Sequence, residues 1–264
     1  MKTVLITGVS SGFGKAIAET LTSAGMQVFG ASRKPASGTL PYKVITLDVT
    51  KPETIKAGVS EVMKQAGKID VLINNAGYGL GGEMELTPIE DRKRLFDTNL
   101  FGYIDMVNEV LPVMRKQKQG LIINIASLAG VFAIPYQGFY STSKFAVNGY
   151  SEALHYELKG SGVNVVVINP GDYKTNFTSS RVMTPVQPAN KAMFDKVVKV
   201  FEKDETNGID PKHCAKLIAK IIEKKKPCFR YVAGNFFEHK MSAFLKRIFP
   251  DSWFFGVIGS HYKM

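Results

Sequence analysis

Short apolar runs alternate with amphipathic helical stretches through the first two thirds of this 264-residue chain, and that alternation leaves few folds open. Residues 4–6 form an apolar run that ends in a glycine-rich turn. Residues 13–24 then read as a helix with Ile17, Leu21 and Ala24 on one face. Further strands are expected at 27–31, 44–47, 69–73, 121–125 and 163–168, with helices at 52–65, 88–116 and 139–158 between them. The strands are apolar on both faces, which belongs to a parallel sheet covered on both sides. Alternation this long implies a doubly wound α/β fold. A helix at 211–226 and a last strand at 228–232 bring the sheet to about seven strands. No linker or repeat divides residues 1–264, so a single domain is expected. Residues 172–207 carry few clean signals and read as a long excursion, the length at which loops commonly carry function.

Composition narrows the setting. Hydrophobic residues make up 45% and charged residues 22%, which excludes wholesale disorder and fibrous repeats. Lys and Arg number 34 against 23 Asp and Glu, a formal charge of +11 that favours an anionic ligand, nucleic acid or a membrane surface without choosing among them. No nucleic-acid motif accompanies the charge, so nucleic acid is not expected as a partner. Cys214 and Cys228 form no framework and read as free thiols in a reducing compartment. The amino end is too short in apolar residues for a signal peptide, and no run approaches the ~20 needed to span a bilayer. A cytoplasmic protein is expected.

The glycine turn carries the first chemistry. Gly8, Gly12 and Gly14, with Ser10, Ser11 and Phe13 between them, join the first strand to the first helix. Here the backbone must turn sharply, approach a ligand closely and present free helix N–H groups to phosphate. The competing reading is a turn that only joins strand to helix. The second strand ends in Ala31, Ser32, Arg33 and Lys34, with no acidic residue to accept a ribose 2′-hydroxyl. A guanidinium there can grip a 2′-phosphate, which points to NADP(H); a solvated surface Arg33 is the alternative.

These segments, with Asn74, Asn75, Ala76 and Gly77, then Ser127, then Tyr140 and Lys144, then Pro170, Gly171 and Thr175, resemble the short-chain dehydrogenase/reductase family in order and spacing. The match is good over residues 1–176 and architectural beyond. Tyr-x3-Lys is weak alone and gains force from Ser127 thirteen residues upstream. On a helix the phenol and the ammonium share a face, and a nearby ammonium is expected to lower the phenol's pKa toward working pH. The resemblance implies a Rossmann domain with Tyr140 as general acid/base, Ser127 holding the substrate oxygen, Lys144 beside Tyr140, and Asn99 completing a proton relay. It also implies adenine contacts from Asp48 and Val49, a ribose wall from Asn75, Ala76 and Gly77, and nicotinamide contacts from Pro170, Gly171 and Thr175, with Tyr140 and Lys144 touching the cofactor as well. Two departures stand out. Ser11 occupies a place where many NADP-preferring members are basic, and Tyr173 replaces a small aliphatic residue.

The implied activity is hydride transfer between nicotinamide and a carbonyl or secondary alcohol, as in carbonyl reductases of the steroid and retinoid branch. Phe132, Tyr136, Phe139, Phe177, Met183 and Phe194 are candidates for an apolar substrate pocket, or for packing of the loop itself. A non-catalytic dinucleotide sensor, or an isomerase or dehydratase with the same Tyr–Lys pair, are the alternatives. The aromatic-rich tail at 236–264 caps the pocket, forms a subunit interface or lies on a membrane surface, the last being the less favoured reading. Resemblance implies a homodimer or homotetramer through the helices around residues 127–144.

Overall fold

The structure is a computed structural model that describes residues 1–34 and 39–264 and, of Phe237 and Glu238, the backbone alone. The first half runs β1 (Thr3–Thr7), α1 (Gly12–Ser23), β2 (Gln27–Ser32), β3 (Lys43–Thr46), α2 (Pro52–Ala66), β4 (Val71–Asn74), the two-residue β5 (Leu80–Gly81), α3 (Ile89–Phe96) and α4 (Gly102–Gln117). The second half runs β6 (Gly120–Ile125), α5 (Gly138–Glu157), β7 (Val163–Pro170), α6 (Phe177–Ser180), β8 (Val182–Met183), α7 (Lys191–Thr206), α8 (Pro211–Ile222), β9 (Arg230–Ala233), α9 (Met241–Ile248) and α10 (Asp251–His261).

Seven strands form one parallel sheet in the order β3-β2-β1-β4-β6-β7-β9. The period-two geometry of a strand explains why its sequence is apolar throughout. In β1, Val4 and Ile6 pack with Ile17, Leu21 and Ile218 from α1 and α8. Leu5 points the other way and packs with Val59, Met106 and Val110 from α2 and α4. Truncating one such buried leucine costs about 2–5 kcal/mol, because a cavity is left on one face of the sheet. The strand order reverses between β1 and β4, and a crevice opens there at the carboxyl ends.

Several boundaries differ from the sequence expectation for definable reasons. β4 starts at Val71, because the Ile69 backbone is held by the Gln117 side chain through hydrogen bonds of 3.0 and 2.9 Å. The helix expected at 88–116 is interrupted by one π-helical turn, Asp97–Phe101, which turns Asn99 into the interior. The excursion at 172–207 contains the sixteen-residue α7, whose Phe194, Val197 and Phe201 are buried. α8 stops at Ile222, and the last strand starts at Arg230. The tail opens with a π-helical turn, Phe236–Lys240, and continues as α9 and α10, joined at Pro250. Cys214 is buried, Cys228 is exposed, and neither forms a disulfide.

Candidate active site

A single cleft of about 1550 Å³ runs across the carboxyl ends of the strands, from Arg33 and Lys34 at one end to His261 and Tyr262 at the other. At the first end β1 delivers the glycine turn. Gly8 and Gly12 adopt φ of 75° and 55°, which side-chain-bearing residues rarely do. Gly14 meets the Gly8 carbonyl so closely that an added Cβ would lie 2.1 Å from its oxygen. The turn is locked from β4. The Asn75 side-chain amide donates to the Thr7 and Gly8 carbonyls at 2.9 and 3.1 Å, and the Asn75 and Ala76 N–H groups donate to the Thr7 hydroxyl. Ser11 caps α1 without a side-chain bond to its N–H groups, and the first turn of α1 holds no acidic residue. This bare, positively poised helix end with glycines against it fits a dinucleotide phosphate.

The adenosine end follows. Ser10, Arg33, Lys34, Asp48, Val49, Asn75, Ala76 and Gly77 all line the cleft there. Burial alone would raise the Asp48 carboxyl, but the Thr50 N–H and hydroxyl, at 3.0 and 2.8 Å, and the Arg33 charge hold it below the usual carboxylate range. No carboxylate takes the place of a ribose-binding acid at the end of β2. Phe13 also faces the cleft, with its ring 4.9 Å from that of Tyr173. Tyr173 itself lines the cleft. It is buried below Phe13, with its hydroxyl 2.9 Å from His213 Nδ1, and Pro170, Gly171 and Thr175 remain on the cleft wall.

Of the four residues of the expected catalytic set, Ser127, Tyr140 and Lys144 come together on the wall of the cleft, and Asn99 is fully buried behind Gly77. Ser127 follows β6, where its hydroxyl accepts from the Ala129 N–H at 3.1 Å. Tyr140 enters on the first turn of α5 with its hydroxyl in hydrogen-bond reach of Ser127. Lys144, one turn later, donates from Nζ to the Ile125 carbonyl at 3.0 Å. It lies 5.8 Å from the centre of the Tyr140 ring. Asn99 lies alongside: a Cβ on Gly77 would sit 3.0 Å from Asn99 Oδ1 and 3.7 Å from Lys144 Nζ. The Asn99 side chain is nevertheless committed to the backbone of Tyr78, accepting from its N–H at 3.1 Å and donating to its carbonyl at 3.0 Å.

The electrostatics correct one expectation. Tyr140 is only 7% exposed and Lys144 only 4%. Burial pushes the phenol up to about 12 and the ammonium down to about 7. The expected lowering of the phenol by Lys144 is not found in the protein on its own, where desolvation outweighs the lowering by the Ser127 hydroxyl and the Arg181 charge. Tyr140 thus carries its proton at neutral pH, which is the form an acid needs.

On the substrate side, Phe177 packs 5.3 Å from the Tyr140 ring, and Phe132 packs 5.3 Å from Phe254 of the tail. Of the six expected pocket residues only these two face the cleft. Tyr136 and Phe194 pack on each other at 5.1 Å, Phe139 lies under the Arg92 guanidinium, and Met183 is exposed on β8. The rest of the wall comes from α7, inside the excursion at 172–207, and from the tail, for which capping the pocket was one of three expectations. Phe201 of α7, Leu245 of α9, and Val257 and Ile258 of α10 are apolar lining, so the tail caps the pocket. His239 was also missed: its Nε2 lies 3.3 Å from Asp172 Oδ2 inside the cleft. Glu205 is bonded to buried Arg181 and to Thr178, and burial raises its carboxyl above the usual range. No local signal marks these residues, because only the packing of α7, α9 and α10 brings them to the site.

A family model described as short chain dehydrogenase matches residues 2–185. The 3-ketodihydrosphingosine reductase of Bacteroides thetaiotaomicron is 44% identical over 234 residues, 88% of this chain and 87% of that protein. An NADPH-dependent 3-dehydrocapnine reductase of Ornithobacterium rhinotracheale is 32% identical over 250 residues, 89% of this chain and 88% of that protein. Among solved structures, a short-chain dehydrogenase from Streptomyces avermitilis superposes with a TM-score of 0.81 at 29% identity, covering 98% of this chain and 92% of that one. A short-chain dehydrogenase/reductase from Burkholderia phymatum, in complex with NAD, superposes with a TM-score of 0.76 at 25% identity, covering 87% and 88%.

Proposed function

The chain belongs to the short-chain dehydrogenase family, and from that premise we propose that it reduces the ketone of a long-chain, lipid-like substrate with NADPH, with 3-ketodihydrosphingosine as the leading candidate. One observation carries the reading. Ser127, Tyr140 and Lys144 converge in the same cleft whose far end presents the glycine turn and Arg33. An oxidoreductase of this family takes a nicotinamide dinucleotide, and the glycine cradle with the bare end of α1 fits its phosphates. The bound dinucleotide supplies the hydride. Arg33, with Lys34 and Ser32 beside it on the cleft wall, would hold the 2′-phosphate that distinguishes NADPH from NADH.

The protein's own residues do the rest. Ser127 orients the carbonyl oxygen toward Tyr140, which donates its proton to that oxygen as the carbon is reduced. Lys144 stands ready to restore the proton, because burial places its own titration close to neutral pH. Asn99 positions the Tyr78 turn and the floor beneath Lys144, so it acts through its neighbours. Phe132, Phe177, Phe201, Leu245, Val257 and Ile258 give the apolar wall that an alkyl chain needs. The 44% identical relative turns the substrate expectation from steroids and retinoids toward keto sphingoid bases. Exposed Phe145 and Tyr156 on α5 support a dimer through that helix.

The test is direct. Purified protein, NADPH and 3-ketodihydrosphingosine should give NADPH oxidation and an alcohol product by mass spectrometry. No consumption of NADPH with this or any other long-chain ketone would reject the reading.

A further inference from the structure

The helix α10 is apolar almost all the way round, yet it lies at the surface. Phe254 anchors it inward against Phe132, with ring centres 5.3 Å apart, while Val257 and Ile258 turn toward the cleft. Trp253 and Phe255 point outward and remain 45% and 63% exposed. On α9, Phe244 and Ile248 are exposed at one-turn spacing, with Arg247 between them. Phe249 stacks on Trp253 at 4.2 Å, which joins the outer faces of the two helices into one patch. Single exposed apolar residues are ordinary, but a joined aromatic face on a helix that is apolar all round calls for a cover.

Charge says what the cover is. Lys240, Arg247 and Lys263 are exposed around the patch. Asp251, the one acidic side chain described on α9 and α10, is already bonded to Lys246. Lys246 Nζ in turn lies 5.3 Å from the ring centres of both Phe254 and Phe255. The whole chain carries +11. A second copy seated on this face would bring like charges together, whereas an anionic lipid surface is complementary to it. Aromatic side chains mixed with Lys and Arg are the composition that settles at the headgroup boundary. Among the described residues no helix is long and apolar enough to cross a membrane, so the contact is one of lying against the surface.

We propose that the outer face of α9 and α10 docks on bilayers rich in anionic phospholipid. Ser242, Leu245, Val257 and Ile258 of the same helices also line the cleft, so docking sets the cap of the pocket against the lipid. The inference goes beyond the proposed activity and stands without it; if the substrate is a keto lipid, this face is where it enters.

Trp253 is the only tryptophan in the chain and reports the contact directly. The full chain is titrated with vesicles of phosphatidylglycerol and phosphatidylcholine, and with phosphatidylcholine alone, following Trp253 emission and co-sedimentation. Emission should shift to the blue and the protein should sediment with the anionic vesicles only, with binding weakened about tenfold or more at high salt. The pair Phe244→Glu and Phe255→Glu should abolish sedimentation while turnover of a short, water-soluble ketone stays within about twofold of wild type. An unchanged spectrum with the protein left in the supernatant overturns the proposal. So does a mass in solution that falls on Phe255→Glu without lipid, which would assign the face to a second copy. Vesicle binding is read without turnover, so failure of this inference and failure of the reductase reading are separate results.

Discussion

Lys144 on α5 donates a 3.0 Å hydrogen bond from Nζ to the carbonyl oxygen of Ile125, the last residue of β6. The end of that strand therefore anchors the lysine, and two residues later the same strand end supplies Ser127. Tyr140 is caught between them, with Ser127 at its hydroxyl and Lys144 over its ring. The phenol, the serine hydroxyl and the ammonium are all referenced to one strand end, so their spacing follows the sheet and not a loop.

Removal of the phenol tests the chemical role. Tyr140→Phe keeps the ring against Phe177 and should keep NADPH affinity within about threefold. Turnover should fall at least about a hundredfold, the usual effect of losing a general acid. Stopped-flow or steady-state NADPH oxidation, with fluorescence titration of the cofactor, checks both; near-wild-type turnover would remove Tyr140 from the mechanism.

Arg33→Ala tests the choice of dinucleotide. The guanidinium has no acidic competitor at the end of β2, and Asp48 is the nearby carboxylate that feels its charge. The NADPH/NADH affinity ratio should fall about tenfold or more, mostly through weaker NADPH binding. An unchanged ratio would mean that Lys34 or the serines of the glycine turn do the selecting.

The pH dependence of stability tests the burial of Lys144. Its folded pKa, about 7, lies below the ordinary 10.5. Between these values the unfolded chain binds a proton that the folded one does not, so this group makes stability rise as pH rises from about 7 toward 10.5. Below about 7 both states are protonated and the burial cost is fully present. Lys144→Met should therefore melt higher than wild type at pH 7, with the gap shrinking toward pH 10. A gap that does not change with pH in melting curves without cofactor would show that the ammonium is not desolvated.

Arg181 and Glu205 test the floor of the substrate side. The Arg181 side chain is 1% exposed and that of Glu205 12%, and the pair ties β8's entry to α7. Arg181→Met leaves a buried carboxylate without its cation, which costs about 3–5 kcal/mol in such pairs, less whatever Thr178 and protonation of Glu205 recover. Urea denaturation should show the loss, and a double Arg181→Met, Glu205→Leu variant should recover much of it.

Much of the candidate site was legible in the chain because the residues proposed for it fall in local patterns. Glycine spacing after a strand, the Arg33 end of β2 and the one-turn pairing of Tyr140 with Lys144 each sit within one or two adjoining elements. The direction of the Tyr140 shift was not legible, since it depends on how much protein covers the phenol. The pocket aromatics were half misread for a related reason. Tyr136 and Phe194 find each other, and Phe139 finds Arg92, only once α7 and α3 are in place.

The sequence by itself determined the parallel sheet and which residues are candidates for the site, while the strand order that puts the switch point between β1 and β4 came with the structure. Strand and helix periodicity are short-range properties, and a sheet apolar on both faces admits few arrangements. Only the tertiary structure decided that Tyr173 turns inward beneath Phe13, that His239 enters the cleft beside Asp172, and that α9 and α10 close the pocket with one face while leaving the other bare. Those outcomes rest on contacts between residues tens to hundreds of positions apart. Shape and desolvation of the assembled surfaces decide them, and no local pattern in the chain encodes either.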